Sequence, residues 1–447
     1  MSSPVRFVLL SLLLAPALFA SPPAADPAKA ALTGEVQALR RDLAALAAEV
    51  AALRAAATPG LETRVAAAEA ELAKFGTALA GVESRLTELS ATQTATAETV
   101  EALESAETKA IHLTTYGTFA IEDTTRSDST FDAESLELVL SAQPHPRFGL
   151  FAEMEFERAA AVGGERGGEV LLEQAWASFR FTDWMSLRAG ALLVPFGNFN
   201  VDHYAPSRDV ISKPLVAYVV APGDWTDNGL GLSGTVLLGG EWALRYDTAV
   251  VAGLDDNITA LGTRAARQPF GADNNNDKAL VGRLGWKYGG AFELGMSAYD
   301  GAYDDAGRLS LSGFALDALA VLGPLRVTGE IDRLEASQAV GPDAELGGWY
   351  VRSTLDLATR WLRSGRHGEA FPEARLSLVG QVERIDLAGP LDGGWEDNSE
   401  KRLTLGLNYR PTTSWVLKLD REWRRAPGRA LVFGDEEAWL ASFGFVF

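Results

Sequence analysis

From residue 111 to the C-terminus, apolar and polar residues alternate with a period of two. That period predicts strands with one apolar and one polar face. On the stretch from Glu373 to Leu387, Ala374, Leu376, Leu378, Gly380 and Val382 share one face. Arg375, Ser377, Gln381 and Glu383 form most of the other. Next, Leu403, Leu405, Leu407 and Tyr409 oppose Arg402, Thr404, Asn408 and Arg410. Then Trp415, Leu417, Leu419 and Trp423 oppose Lys418, Asp420, Glu422 and Arg424. The pattern predicts about sixteen strands, at 114–122, 133–142, 148–158, 171–181, 186–193, 227–238, 241–252, 278–288, 291–300, 308–320, 325–334, 348–360, 374–386, 401–410, 414–424 and 436–447. Aromatic residues cap the apolar faces, and the opposite faces carry charges that no dry core could hold.

The connections narrow the fold. One set is short: Pro144 to Arg147, Thr182 to Met185, Gly239-Gly240, Gly289-Gly290, Gly323-Pro324 and Pro411 to Thr413. The other is longer and polar: 123–132, 159–170, 194–226, 253–277, 301–307, 335–347, 387–400 and 425–435. Short turns on one side and long loops on the other are the layout of an outer-membrane barrel. An even strand count puts both barrel ends on the short-turn, periplasmic side. In the last segment Trp439, Phe443, Phe445 and the terminal Phe447 alternate with Leu440, Ser442, Gly444 and Val446. That outward apolar face needs lipid. The expected fold is an all-β transmembrane barrel over residues 111–447, preceded by an N-terminal α-helical coiled coil.

The coiled coil is read from a different period. Leu32, Val36, Leu39, Leu43, Leu46, Val50 and Leu53 are spaced alternately by four and three. That is the seam of a left-handed coiled coil. Pro59-Gly60 breaks it. A second seam runs through Leu61, Val65, Ala68, Leu72, Phe75, Leu79, Val82, Leu86 and Leu89, and continues weakly to Val100 and Leu103. Glu35 with Arg40, and Glu49 with Arg54, occupy g and following e positions, which face one another between parallel helices. Two readings remain open over 21–110: a parallel oligomeric periplasmic stalk, or one amphipathic helix folding back at Pro59-Gly60. Residues 1–20 read as a secretory signal peptide. Arg6 precedes the apolar run Phe7 to Phe19, and small residues follow around Ala17 to Ser21. Cleavage is placed after Ala17 or Ala20, with a retained N-terminal anchor as the alternative. No later segment has the eighteen apolar residues of a membrane helix.

Composition excludes several functions. The 447-residue chain has 40 Lys and Arg against 60 Asp and Glu, a net charge of −20, which argues against a nucleic-acid partner. It has no Cys, so neither a thiol nucleophile nor a Cys-bound metal. Its four His (His112, His145, His203 and His367) are dispersed. No cofactor, no metal centre and no catalytic group is expected. A barrel-wall enzyme such as a lipase would need a Ser, a His and a third polar group together on the outer face.

Alternation also names the lumen. The expected basic lining is Arg180, Arg188, Arg245, Arg283, Lys287, Arg326, Arg352, Arg375, Arg402 and Arg410, and the acidic lining includes Glu137, Glu153, Glu155, Glu157 and Asp247. Strands two and three carry four inward carboxylates and no inward base. Strands four, five and eight carry Arg180, Arg188, Arg283 and Lys287. Opposed walls of this kind would set up a transverse field, whereas plain solvation of a watery lumen would account for any one residue. Loop 194–226 contains Asp202, His203, Arg208, Asp209 and Lys213, and a largely apolar stretch from Pro214 to Val220. Apolar loop residues need burial, so this loop is expected to fold inward and constrict the pore; packing on a neighbouring subunit is the alternative. Asp273-Asn274-Asn275-Asn276-Asp277 is rich in oxygen ligands but lacks the spacing and terminal Glu of an EF-hand, and reads as a polar turn.

The stretch Glu173-Gln174-Ala175-Trp176-Ala177-Ser178-Phe179, then Leu187 to Gly190, then Val194-Pro195-Phe196-Gly197 with Asn200 and His203, resembles the phosphate-selective porin (O and P type) family. So do Trp225 to Gly229, Asn276 to Leu280 with Gly282-Arg283, and Ser297, Tyr299, Asp300 and Gly301. The resemblance covers mainly residues 111–310. It implies a sixteen-stranded trimeric porin with its third loop in the pore. In that family phosphate selectivity goes with a basic ladder and a constriction Lys. Here the lumen is mixed in sign, and the loop sets Asp202 and Asp209 beside Arg208 and Lys213. The function expected is a water-filled outer-membrane channel for passive diffusion of small ions or solutes, with anions such as phosphate as the candidate cargo. The expected partners are outer-membrane lipid, two further copies in a homotrimer, and the permeating solutes. The alternative is a structural protein whose stalk contacts the cell wall.

Overall fold

The computed structural model describes residues 111–158, 168–357, 361–391, 394–426 and 435–447, together with single helical positions between Gln37 and Ala80. Sixteen strands follow one another: β1 (Ile111–Thr124), β2 (Thr130–His145), β3 (Phe148–Glu157), β4 (Glu169–Thr182), β5 (Met185–Leu193), β6 (Thr226–Gly239), β7 (Trp242–Val251), β8 (Ala279–Tyr288), β9 (Phe292–Ala302), β10 (Ser310–Leu322), β11 (Leu325–Ala336), β12 (Ala344–Asp356), β13 (Arg375–Leu391), β14 (Gly394–Thr412), β15 (Trp415–Arg425) and β16 (Glu436–Val446). Each pairs antiparallel with its sequence neighbours, and β1 pairs with β16 to close the barrel. Thr115 and Phe447 exchange backbone bonds of 2.8 and 2.9 Å, so the terminal residue takes part in the closure. Closure leaves no open edge, the condition for spanning hydrocarbon with strands. Among the described residues, no helix is long and apolar enough to cross a membrane.

The alternation read from sequence sorts the two faces. Phe314, Leu316, Ile331, Val351, Leu378, Leu405 and Leu417 point outward and are exposed, as a lipid-facing surface requires. Glu330, Arg352, Gln381, Glu383, Arg402, Asp420 and Glu422 point inward and are buried. Two segments depart from expectation. The stretch 387–400, expected as a loop, is the outer part of the β13–β14 hairpin, paired out to Leu391↔Gly394. Its run Glu396 to Ser399 looks like a loop by composition, but Ile385 and Leu387 beside it are buried inside the barrel, and that burial extends the strand. β12 ends at Asp356, where strand was expected to run to 360, and the connection to β13 on the short-turn side holds helix α2 (Gly365–Ala370).

The apolar core sits inside the barrel. Two long-loop connections, 194–225 and 252–278, turn inward. Val194, Phe196, Leu215, Val216, Val219, Val220 and Trp225 from the first, and Leu254, Ile258 and Ala266 from the second, pack with inner-wall residues including Val281, Tyr299, Leu311, Leu334, Leu346, Tyr350 and Ile385. The wall from β5 to β13 is thus filled with a dry plug at its long-loop end.

Residues 18–107 form a separate compact unit. Its described positions are helical, with Thr77 Oγ1 donating to Ala73 O at 2.9 Å. Apart from Val50, the expected seam, the Pro59-Gly60 break and the signal peptide lie outside the described residues.

Candidate functional site: the lumen and its inward loop

Loop 194–225 crosses the lumen and is bracketed by wall side chains at almost every step. It opens with helix α1 (Asn198–Val201), whose Asn198 and Phe199 N–H groups donate to Glu330 Oε2 on β11 at 2.8 and 2.9 Å. Glu330 reaches them because Gly197 (φ 71°) has no Cβ; one built there would fall 2.4 Å from Glu330 Oε1. His203 Nε2 then lies 3.3 Å from Glu173 Oε2, and the Tyr204 ring meets Tyr116 on β1 edge-on at 4.4 Å. Further on, Lys418 Nζ donates to Ala205 O (3.1 Å) and Asn408 Nδ2 to Asp209 O (2.6 Å). The Ile211 N–H donates to Asp420 Oδ2 (2.7 Å), Arg402 Nη2 donates to Lys213 O (2.5 Å), and the Leu215 N–H donates to Glu383 Oε2 (2.5 Å). A π turn, Val216–Val220, enters the apolar plug before the chain reaches β6. Buried backbone donors and acceptors need partners, and here the inward charges supply them.

Much of the expected lining is therefore committed. Glu330, Glu383, Lys418 and Asp420 hold loop backbone. Asn408 does the same without any charge to advertise it. Asp209 Oδ2 accepts from Arg326 Nη2 (2.6 Å) and Thr354 Oγ1 (2.7 Å). Arg352 Nε donates to Gln381 (2.9 Å), and Arg402 pairs with Glu383 (2.5 Å) while lying 3.6 Å from Glu422. Asp202 caps the end of α1 and is exposed. Glu157 lies 3.5 Å from Arg158, whose main partner is Asp132 at 2.5 Å. At the short-turn end Arg180, Arg245 and Arg375 are exposed, and Arg410 is half-buried directly opposite Arg375. Among the described residues these four enter no ion pair.

The expected opposed walls need correction. Arg188 is bonded to Asp247; Arg283 pairs with Asp317 (2.6 Å) and Glu293 (3.3 Å), and Lys287 with Glu293 (2.8 Å). The bases of β5 and β8 are thus neutralised by their own neighbours. A polar cavity of about 220 Å³ lies on the other side of the lumen. Its carboxylates, among them Glu122, Glu134, Glu137, Glu155, Glu157 and Glu173, come from β1 to β4. Its bases come chiefly from the loop (Arg208, Lys213), from β14 and β15 (Arg402, Arg424) and from Arg264. Lys213 is bonded to Asp224, Arg264 lies 3.9 Å from the same carboxylate, and Arg424 pairs with Glu436 (3.1 Å).

Glu173 was not foreseen. It is the extra residue of a bulge: Glu153 pairs with Gln174 and Met154 with Leu172, and both Glu173 and Gln174 are buried. Strict alternation would have turned Glu173 outward. Glu153, Glu173 and His203 bring three ligating atoms within 4.8 Å of one another. Glu153 already accepts from Tyr116 Oη (2.8 Å) and Gln174 Nε2 (2.6 Å), so the three form a histidine–carboxylate bracket. Burial works against charge on His203, but the hydrogen bond and charge of Glu173 outweigh it and push its pKa up to about 9. Burial likewise acts to raise the Asp209 carboxyl, yet Arg326, then Arg352 and Thr354, hold it below the usual carboxylate range. The Asp273 to Asp277 run behaves as a turn: Asn275 Nδ2 donates to Asp304 O (3.0 Å), and Asp277 Oδ2 accepts from the Ala302 N–H (2.8 Å).

A closed sixteen-stranded antiparallel barrel with an inward third long loop is the architecture of the outer-membrane porins, and comparison with solved structures agrees at the level of fold. OmpF of Salmonella typhi, solved in complex with daunomycin, superposes over 76% of this chain and 99% of its own, with a TM-score of 0.53 and 11% identity. An anion-selective porin from Comamonas acidovorans aligns over 76% of this chain and 99% of its own, with a TM-score of 0.49 and 12% identity. In sequence, an uncharacterized protein of Aquifex aeolicus is 23% identical over 296 residues, which is 60% of this chain and 65% of that protein. No family model matches the chain.

Proposed function

We propose that the chain is an outer-membrane porin, a water-filled channel for passive diffusion of small ions and solutes. The observation that carries this reading is the polar cavity between the bracketed loop and the β1–β4 wall, inside a closed barrel whose outer face is apolar. Loop 194–225 is the constriction, and Arg208, Lys213 and His203 are its face on the cavity; Asp209 ties the loop to β11 and β12, and Asp202 stands at its edge. Solutes pass along one side of the lumen, because the dry plug fills the other. The barrel assembles as a homotrimer, as the resemblance to phosphate-selective porins implies, and the short-turn end faces the periplasm.

A preference for anions, phosphate among them, is supported by Arg180, Arg245, Arg375 and Arg410 at the short-turn mouth, which enter no ion pair among the described residues. Rings of basic side chains favour anions. Planar-bilayer conductance under a salt gradient, with and without phosphate, tests both levels. Stepwise openings with a reversal potential on the anion side, reduced by phosphate, would support the finer reading. Cation-side reversal would overturn the anion preference alone, and a folded barrel that passes no current would overturn the channel.

The two heptad seams favour a second role beside the first, a periplasmic stalk behind a cleaved signal peptide that ties the barrel to the cell wall. Deleting residues 30–105 tests it, and unchanged envelope attachment would remove that role.

A further inference from the structure

We propose that the lateral cavity is a binding site for a small zwitterion, a solute of the basic amino-acid type with an ammonium group at one end and a carboxylate at the other. The proposal deepens the channel reading and rests on it for the route by which the solute arrives.

Two groups of opposite type share this cavity, a carboxyl pair with no bonded cation and a guanidinium with two unpartnered nitrogens. Glu137 on β2 and Glu155 on β3 stand directly opposite each other on the inward face. Like charges so placed repel. Both are buried, at 4% and 7% exposure. Among the described residues Glu137 accepts one hydrogen bond, from Ser135 Oγ at 2.9 Å, and Glu155 accepts none. The cation that offsets them most directly, Lys213, has its ammonium bonded to Asp224. The wall arginines are committed to the carboxylates described above. A buried carboxylate pair without a bonded cation is costly, and an incoming ammonium would relieve it.

The second group is Arg208, on the loop and 5% exposed. Its Nη2 lies 3.5 Å from Glu134, while Nε and Nη1 are enclosed without a hydrogen-bond partner and would meet a carboxylate as the side chain turns into the cavity. A guanidinium is built for planar, two-point capture of a carboxylate. A simple cation answers only the glutamates, and a simple anion answers only Arg208. A zwitterion answers both. The cavity, about 220 Å³, equals roughly seven water volumes at ~30 Å³ each. That is room for an amino acid.

The test uses the full mature chain in detergent micelles, with calorimetric titration of L-lysine, cadaverine (its diamine half), glutarate (its dicarboxylate counterpart) and phosphate. L-lysine is expected to bind at least tenfold more tightly than the other three. Glu155→Gln and Glu137→Gln are each expected to weaken it about tenfold, with circular dichroism confirming the barrel. The ranking of probes on the unaltered protein needs no variant. Cadaverine binding as well as lysine would reduce the site to a cation site; glutarate or phosphate binding as well would make it an anion site; no lysine heat would remove it. Any of these overturns the proposal. Bilayer current in KCl is measured alongside. Current with no lysine binding leaves the channel standing without the site, and lysine binding with no current does the reverse.

Discussion

The Asp209 carboxylate takes Arg326 and Thr354 on one oxygen, while its backbone carbonyl receives Asn408. Removing one partner of a buried charged hydrogen bond costs about 1–3 kcal/mol, so Asp209→Asn is expected to free the loop's middle without opening the barrel. Limited proteolysis would read this as faster cleavage between residues 205 and 213. Because the folded pKa of Asp209 is depressed, its contribution is present above the ordinary carboxylate pKa and is lost as pH falls through the lower folded value. His203 has the opposite sign. Its pKa is raised to about 9, so its contribution, about 3 kcal/mol, is complete below ~6.5 and disappears as pH rises through ~9. Single-channel current should therefore grow noisier between pH 7 and 10, and His203→Gln should be noisy throughout; a trace flat across that range would refute the bracket. At this scale the sequence was legible in part. A period of two places Glu330, Glu383 and Asp420 inward, but nothing in it says that their partners are loop N–H groups two hundred residues away or more than a hundred. Glu173 was hidden altogether, since one bulge reverses its face.

Among the elements, the π turn Val216–Val220 depends on a missing side chain across from it. A Cβ on Gly348 of β12 would lie 2.7 Å from Arg384 O and 3.2 Å from Val216 Cγ2. Gly348→Val is expected to push the turn off the wall, at about 1–3 kcal/mol for overpacking, and to raise conductance. Gly347→Val, one residue along and facing out, would meet only Asp332 O at 3.5 Å and should leave conductance as it was. Equal effects from the two would mean the turn does not set the constriction. The sixteen strands were legible because a lipid-facing barrel writes its period into every strand. The β13–β14 hairpin was legible only to its membrane half. Beyond that, Glu396 to Ser399 leave the lipid and lose the apolar face that marks a strand, while the pairing continues.

For the whole molecule, the apolar plug inside and the apolar belt outside are made by the same strands, so the lumen divides into a filled side and a passable side. The belt's height was set by where its aromatics fall. On β15 the outward face runs from Trp415, beside Phe443 at 4.9 Å, to Trp423, whose neighbour Arg421 also lies over Trp439 at 5.2 Å. At ~3.3 Å per residue and a tilt of ~40°, Trp415 to Trp423 climbs roughly 20 Å. The barrel is thus cut for a thin sheet of hydrocarbon. Refolding into vesicles of ten- or twelve-carbon acyl chains should be faster and more complete than into eighteen-carbon ones, read as the fraction that resists unfolding in cold detergent. A preference for the thicker vesicles would contradict the belt. Bilayer thickness alone would then sort this protein, since a slab a few ångströms too deep must thin around it or leave polar backbone in oil.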